Sequence, residues 1–287
     1  MLRFRRPPEH QDFAADVADA QRSVDEAVRQ GRPAEFDERL WKREKYTKEF
    51  YRAQHGKCGY CEVKFAGQVP QVDHFRPKGA LWALPEDPGA WGQEIEHGTN
   101  FHGRKRQTLS EHGYHWLAYS WRNYVLSCER CNTACKLSFF PVVEPPARRL
   151  PPAPGDEEEE TALLIHPFEG PDPADHLEFN ASGLVNGRAG SPHGFETLRT
   201  YALYRESLVN VREPIAKRAH DLIRHLRFSG DEERKREAFN DLEDLGRIDR
   251  VHAGMVRIIF EQLTGWRWTD AFGEDVASHT QARATPR

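Results

Sequence analysis

The chain has 287 residues, of which 38% are hydrophobic and 30% charged, with a formal net charge of −4 at neutral pH. This length allows one substantial core, or a core and a smaller satellite. The composition excludes a membrane protein, because no run approaches the roughly 18 apolar residues of a transmembrane helix. No apolar segment follows the basic residues of MLRFRRPPEH, so we find no secretory signal and expect a reducing, cytoplasmic setting without a membrane partner.

The positive charge is unevenly spread along the chain. Residues 101–150 contain eight lysines and arginines but only three acidic residues. A polyanionic partner would therefore bind through this region in preference to the rest of the chain.

Residues 1–45 are predicted to be a helical segment. Apolar residues recur at helical spacing in FAADVADAQRSVDEAV, and the pattern continues in LWKREKYTKEFYRAQ. Residues 46–150 form a second unit, in which His55-Gly56 ends the helix. The stretch KCGYCEVKFAGQVPQVDHF then predicts a knuckle and two short strands joined by a turn near Ala66-Gly67.

The same unit contains a long irregular insertion, which we place at residues 81–113 from its glycines, prolines, tryptophans and charges. The aromatic segment YHWLAYSWRNYVLSC follows, and a helix is predicted from about Cys128 to Leu137. Its aromatic residues suit either a core or a surface on which nucleic-acid bases stack, and the core is the commoner use of such side chains.

Residues 151–161 are interpreted as a linker, since prolines stiffen it and the acidic run DEEEE is expected to stay solvated. Residues 162–287 then begin with short strands in TALLIHPF and in LEFNASGLVNGR, the latter with a Ser-Gly turn. A long amphipathic helix from Phe195 to about Phe228, one or two further helices and a frayed tail after Phe272 complete the prediction. The predicted fold class is α+β, with a small β-containing core inside a mostly helical chain.

Four of the five cysteines form two CxxC pairs, Cys58 with Cys61 and Cys128 with Cys131. Two such knuckles supply the four thiolates of a tetrahedral structural zinc site, which leaves no open coordination position for chemistry. A redox pair and buried free thiols are the alternatives, and the helical, charged segment before Cys58 does not suit a thioredoxin-like redox centre. Cys135 is expected to be a small packed residue and not a fifth ligand.

The pair Asp73-His74, with Asn123 and with Asn132 directly behind the second knuckle, resembles the HNH family of nucleases. The resemblance implies a ββα-metal core in which Asp73 is a metal ligand and His74 is the general base that activates water. It also implies that Asn123 holds the loop and orients the histidine, and that Asn132 is the second metal ligand. Many members have histidine at the last position. A carboxylate and an amide oxygen are hard ligands, which favour Mg²⁺ or Mn²⁺.

The motifs KCGYCE, VDHFRPKG, YHWLAYSWRNYVLSCERCN, FFP and TLRTYALYRESLVNVR extend the likeness over roughly residues 40–215. They look like the PtuB-type HNH subunits of Septu and retron-associated anti-phage systems, which implies DNA as substrate and an ABC-like ATPase as partner. The family commonly has glycine after the helical lysine, where this chain has Leu137.

Arg76, Lys78 and Lys136 are candidates for holding the substrate phosphate, and solvated surface charge is the alternative for each. Asp73 and His74 would point to opposite faces of a regular strand, so both can serve one site only if the strand breaks there. Pro77, just beyond, is compatible with such a break.

The predicted function is therefore a metal-dependent HNH endonuclease that hydrolyses DNA as an anti-phage effector. Two alternatives remain open at this point. One is a zinc-stabilised module that binds nucleic acid or protein and whose catalysis has lapsed, and the other is an HNH nuclease that cleaves RNA.

Overall fold

The structure is a computed structural model, and it describes residues 1–83, 107–143 and 149–274. Helices and small antiparallel sheets alternate along the chain, which confirms the α+β class. In the described part of the chain, no helix is both long enough and apolar enough to cross a lipid bilayer.

Three helices precede the first strand: α1 Phe13–Arg29, α2 Glu38–Trp41 and α3 Glu44–Ala53. The strands are β1 Gln71–His74, β2 Leu81–Trp82, β3 Thr108–Ser110, β4 Tyr124–Ser127, β5 Leu177–Phe179 and β6 Val185–Gly187. A π-helix, Arg130–Lys136, follows β4. The later helices are α4 Asp156–Glu159, α5 Pro173–His176, α6 Pro192–Tyr201, α7 Glu206–Phe228, α8 Glu232–Gly246, α9 Ala253–Thr264 and α10 Trp268–Phe272.

The sheet that positions the site is an antiparallel pair between β1 and β4, with Asp73 opposite Val125 and His74 opposite Tyr124. This pairing corrects the predicted hairpin within residues 57–75, where the structure has one isolated bridge, Lys57 to Lys64, and a turn at Gly67. All four residues of β4 are buried, and each of them pairs with a residue of β1. The buried strand is therefore the partner that covers β1.

The helix predicted over residues 128–137 is a π-helix, in which the amide of Leu137 donates to the carbonyl of Asn132 at 2.8 Å. It ends at Leu137, whose φ of +49° is a conformation that residues with a Cβ rarely adopt. Glycine adopts such a φ without strain, which gives a physical reason for the glycine common at this position in the resembled family.

The second half differs from the prediction in two places. The expected strand TALLIHPF is present only as the isolated bridge of Ala162 with Val142, whereas β5 and β6 form the expected hairpin around a turn at Gly183. The single helix predicted from Phe195 to Phe228 is two helices, α6 and α7. They are separated at Ala202, whose φ is +45°.

Most of the predicted insertion lies outside the described residues, and its two ends pair as β2 and β3. The prediction of a frayed tail also falls largely outside them, after Glu274. Tyr119 and Trp121 are buried in the main core, which confirms the core interpretation for these two aromatic residues.

Candidate zinc centre and the Asp-His segment

The four cysteines of the two knuckles converge into one buried cluster in which all the ligand atoms lie within 4.8 Å of one another. The first knuckle follows the end of α3, and its turn is closed by hydrogen bonds between Cys58 and residues 62 and 63. The second begins where β4 ends and continues into the π-helix. Gly59 allows the two to meet, since a Cβ there would lie 2.6 Å from Cγ1 of Val125.

Two buried arginines near this cluster bear on its charge, which is zero for four neutral thiols and negative for thiolates that bind a metal ion. Arg205 donates from Nη2 to Sγ of Cys131 at 3.7 Å, and Arg205 and Arg212 are only 5% and 2% exposed. Burial disfavours the charged form of both arginines. The neighbouring cysteines raise the pKa of Arg205 above its ordinary value, whereas burial lowers that of Arg212 to about 10. Buried guanidinium groups require negative charge nearby, and four thiolates around Zn²⁺ carry a net charge of −2. The donor set and these arginines fit a structural zinc ion.

Cys135 lies outside the cluster, packed with Phe139 and Ala202. Burial raises the pKa of its thiol to about 12, so it stays protonated. The prediction that Cys135 is a packed residue is confirmed.

Asp73 is almost fully buried at 2% exposure, on the side of β1 that faces the zinc cluster and the π-helix. Its Oδ2 accepts a hydrogen bond from the Tyr60 hydroxyl at 2.5 Å, and its Oδ1 pairs with Nζ of Lys136 at 2.9 Å. Tyr60 lies inside the first knuckle and stacks on Tyr201 of α6, with ring centroids 3.9 Å apart. The knuckle therefore fixes the carboxylate through Tyr60.

His74 points to the other side of β1, where its ring packs edge-on against Trp41 and Tyr124. Its Nε2 donates to the main-chain carbonyl of Ala118 at 2.8 Å, and because a carbonyl can only accept, the neutral ring carries its lone pair on Nδ1. Burial, followed by the positive charge of Lys78, lowers the pKa of His74 well below its usual value. The imidazole is therefore neutral at physiological pH.

The strand stays regular through His74, so the structure does not bring the side chains of Asp73 and His74 to one face. Asn123 acts on the segment just beyond. Its Oδ1 accepts from the Arg76 amide at 2.7 Å, and its Nδ2 donates to the carbonyls of Arg76 and Leu117. It thus joins the loop after His74 to the chain that also contributes Ala118.

Asn132 is half-buried, and its Nδ2 donates to Oε1 of Gln71 at 3.0 Å. Gln71 precedes Asp73 by two residues on β1, so Asn132 and Asp73 approach the same face of the strand at successive positions. In the structure each is held by a different partner.

The three phosphate candidates are engaged within the protein. Arg76 pairs with Glu160 at 2.5 Å and packs over Tyr114 and Phe140, and Lys136 is 1% exposed. Lys78 is half-buried, with Nζ 5.0 Å and 5.1 Å from the ring centroids of Phe36 and Trp41.

The expectation that the acidic run stays solvated is wrong for two of its residues. Glu160 is buried against Arg76 and also accepts from the Tyr114 hydroxyl, and Glu157 accepts from the Trp116 indole. The acidic run by itself does not show that Arg76, two residues beyond β1, supplies the compensating charge.

Sequence reasoning missed Tyr60, Arg205 and the carbonyl of Ala118. For Tyr60, the sequence does contain an indication of a role, because this residue lies between the first two cysteines. Arg205 and Ala118 lie within motifs of the resemblance, but neither a single arginine nor a main-chain carbonyl indicates its contacts from the sequence.

These features define the class: an α+β protein built around a buried four-cysteine cluster of the kind that holds zinc. Over 164 residues, 57% of this chain, it is 37% identical to Septu protein PtuB of Bacillus mycoides (strain KBAB4). This stretch covers 48% of that protein, so the chain spans about half the length of the curated relative it matches. The similarity confirms the predicted likeness to PtuB-type proteins. No family model matches the chain.

Proposed function

We propose that the protein is an HNH-type endonuclease that hydrolyses phosphodiester bonds in DNA, acting in the cytoplasm as an anti-phage effector with an ABC-like ATPase partner. The observation that carries the catalytic part is the state of His74: a neutral imidazole held through Nε2 by the Ala118 carbonyl, with its lone pair on Nδ1. The likeness to a Septu protein supports the defence role.

In this proposal Nδ1 of His74 removes a proton from the attacking water, a contribution of about 10²–10⁴ in rate for a positioned general base. Asn123 is the positioning residue, because it fixes both the loop after His74 and the carbonyl at position 117, beside the Ala118 carbonyl that holds the imidazole.

The carboxylate oxygen of Asp73 and the amide oxygen of Asn132 are hard donors that would suit Mg²⁺ or Mn²⁺. Asp73 and the His74 ring lie on opposite faces of β1, so the proposal requires the end of this strand to rearrange when the substrate phosphate binds. When bound, such an ion would neutralise charge on the scissile phosphate. Lys78 is the phosphate candidate we favour, because its described contacts are aromatic faces, whereas Arg76 and Lys136 already pair with carboxylates.

The test is cleavage of plasmid DNA with Mg²⁺ or Mn²⁺, in the presence of ATP and the neighbour-encoded partner. His74→Ala is expected to reduce cleavage by at least about 10²-fold. His220→Ala, a half-buried histidine on α7, is the matched control and should cleave normally. Cleavage by His74→Ala at the wild-type rate would refute the assignment.

The burial of both members of the Asp-His pair favours a second candidate, a zinc-stabilised binding module with lapsed catalysis, since Asp73 and His74 are 2% and 7% exposed. DNA binding without cleavage at every metal, partner and protein concentration tested would support it. Parallel assays on RNA decide the remaining alternative, an RNA-cleaving nuclease.

A further inference from the structure

Lys136 stands as the counter-cation of Asp73. Its Nζ lies 2.9 Å from Oδ1 of Asp73 and donates to the main-chain oxygen of His74 at 2.7 Å. Both side chains are nearly inaccessible, at 1% and 2% exposure. A buried carboxylate without a cation is strongly destabilising, and here Lys136 supplies the positive charge that Asp73 needs.

Oδ2 of Asp73 accepts from Tyr60 and Oδ1 is paired with Lys136, so a divalent cation bound at Oδ1 would lie where the ammonium now lies. Two positive groups held this close together in a buried site repel each other. The ammonium and the metal ion therefore compete for Oδ1.

We propose that Lys136 and a divalent cation exchange at Asp73, so that the ion binds only when the ammonium withdraws. This inference rests on the proposed function in taking Asp73 as the metal ligand. After displacement, Nζ of Lys136 becomes available to a phosphate oxygen. Lys136 can therefore be buried in this structure and still hold the phosphate, as the sequence predicts.

The backbone around Lys136 is suited to such a change. The π-helix ends immediately after it, at Leu137, whose positive φ makes this turn strained for a residue with a side chain. π-helical turns recur at functional sites. Lys136 lies at this strained end of the element, whereas Cys131 lies near its other end.

The first experiment measures Mn²⁺ binding calorimetrically to zinc-loaded protein without nucleic acid, with zinc content assayed before and after. Lys136→Gln is expected to bind Mn²⁺ about tenfold more tightly than the wild type, because the competing charge is gone. Lys136→Arg keeps the charge and should bind like the wild type, and Asp73→Asn should lose the site. Equal affinity of Lys136→Gln and the wild type, or no binding by either, would overturn the exchange.

The second experiment uses the wild-type protein, so it does not depend on a variant that folds. Chemical modification of lysines is followed by mass spectrometry with and without saturating Mn²⁺. Lys136 should be protected in the absence of the ion and reactive in its presence, whereas Lys57, which is also buried and paired, should stay protected in both. Protection of Lys136 at saturating Mn²⁺ would overturn the exchange.

The experiments distinguish a failure of the proposed function from a failure of the exchange between Lys136 and the cation. A protein that exposes Lys136 on binding Mn²⁺ but never cuts DNA or RNA contradicts the proposed function alone. A protein that cuts while Lys136 remains protected contradicts the exchange alone.

Discussion

At the scale of single residues, the candidate site depends on side chains that bind main-chain groups. Asn123 makes three hydrogen bonds to the backbone of residues 76 and 117, and His74 is held by one more carbonyl, that of Ala118. These contacts fix the histidine by fixing the loops on either side of it. A substitution that keeps the polar character of Asn123 but changes its donor and acceptor pattern would therefore still disturb His74.

We expect Asn123→Ala to lower the free energy of unfolding by about 3 kcal/mol, because it removes the hydrogen bonds that Asn123 makes to the amide and the carbonyl of Arg76 in a buried position. Urea unfolding checks this value. Asn240→Ala, an exposed position on α8, is the matched control and should change stability by less than about 0.5 kcal/mol. A stability of Asn123→Ala equal to that of the control would show that these hydrogen bonds do not hold the loop.

At the scale of elements, the four-cysteine cluster joins three short pieces of the chain. The first knuckle, the end of β4 and the π-helix are each only a few residues long, and short isolated turns and strands are not stable by themselves. Structural zinc contributes about 10–16 kcal/mol in small peptides, which is enough to order such pieces. Arg205, next to α7, extends the same centre to the C-terminal helices.

Cys58→Ser and Cys128→Ser are expected to lose bound zinc and to fold poorly, whereas Asp73→Ala should keep its zinc. Cys135→Ala is the matched control, since Cys135 is equally buried but lies outside the cluster. Metal analysis of the purified proteins and thermal unfolding give the answer. Equal zinc content in all four variants would mean that the ligands are wrongly assigned.

At the scale of the whole molecule, buried histidines in different parts of the core link stability to pH. Burial lowers the pKa of His74 and of His166 well below the usual value, and burial, with Arg212 next in effect, lowers that of His252 from 6.5 to about 4. Each imidazole is neutral in the folded protein. At a pH between its folded and unfolded pKa, it therefore binds more protons in the unfolded chain than in the folded protein. Stability is therefore complete above the unfolded pKa and is lost as the pH falls from about 6.5 towards 4.

We predict that His252→Asn weakens this acid dependence without removing it, since the buried His74 and His166 remain. Asparagine suits the position because His252 has a φ of +53°, which asparagine tolerates. Unfolding free energies measured from about pH 7.5 to about pH 5.5, with zinc content checked at each pH, test the prediction. The same slope in variant and wild type would show that His252 is protonated equally in both states.

Much of the local structure could be predicted from the sequence. The helices within residues 13–29 and 232–264 could be predicted because their apolar residues recur at helical spacing. This spacing depends only on residues that are close together in the sequence. The β5–β6 hairpin followed from its Ser-Gly turn. The boundary inside residues 195–228 did not, because Ala202 adopts its positive φ for tertiary reasons that leave no mark on composition.

By itself the sequence determined the chemistry that is available: two CxxC knuckles, an Asp-His pair and two asparagines at fixed spacing. Only the tertiary structure decided their partners. It pairs β1 with β4 and places Asp73 in contact with Lys136 and Tyr60. It also places Arg205 against Cys131 and buries the Glu160 side chain beside Arg76. The physical reason is that the types and spacing of ligands are properties of the chain. The partner of a buried charge, by contrast, depends on which segments pack together in the folded protein.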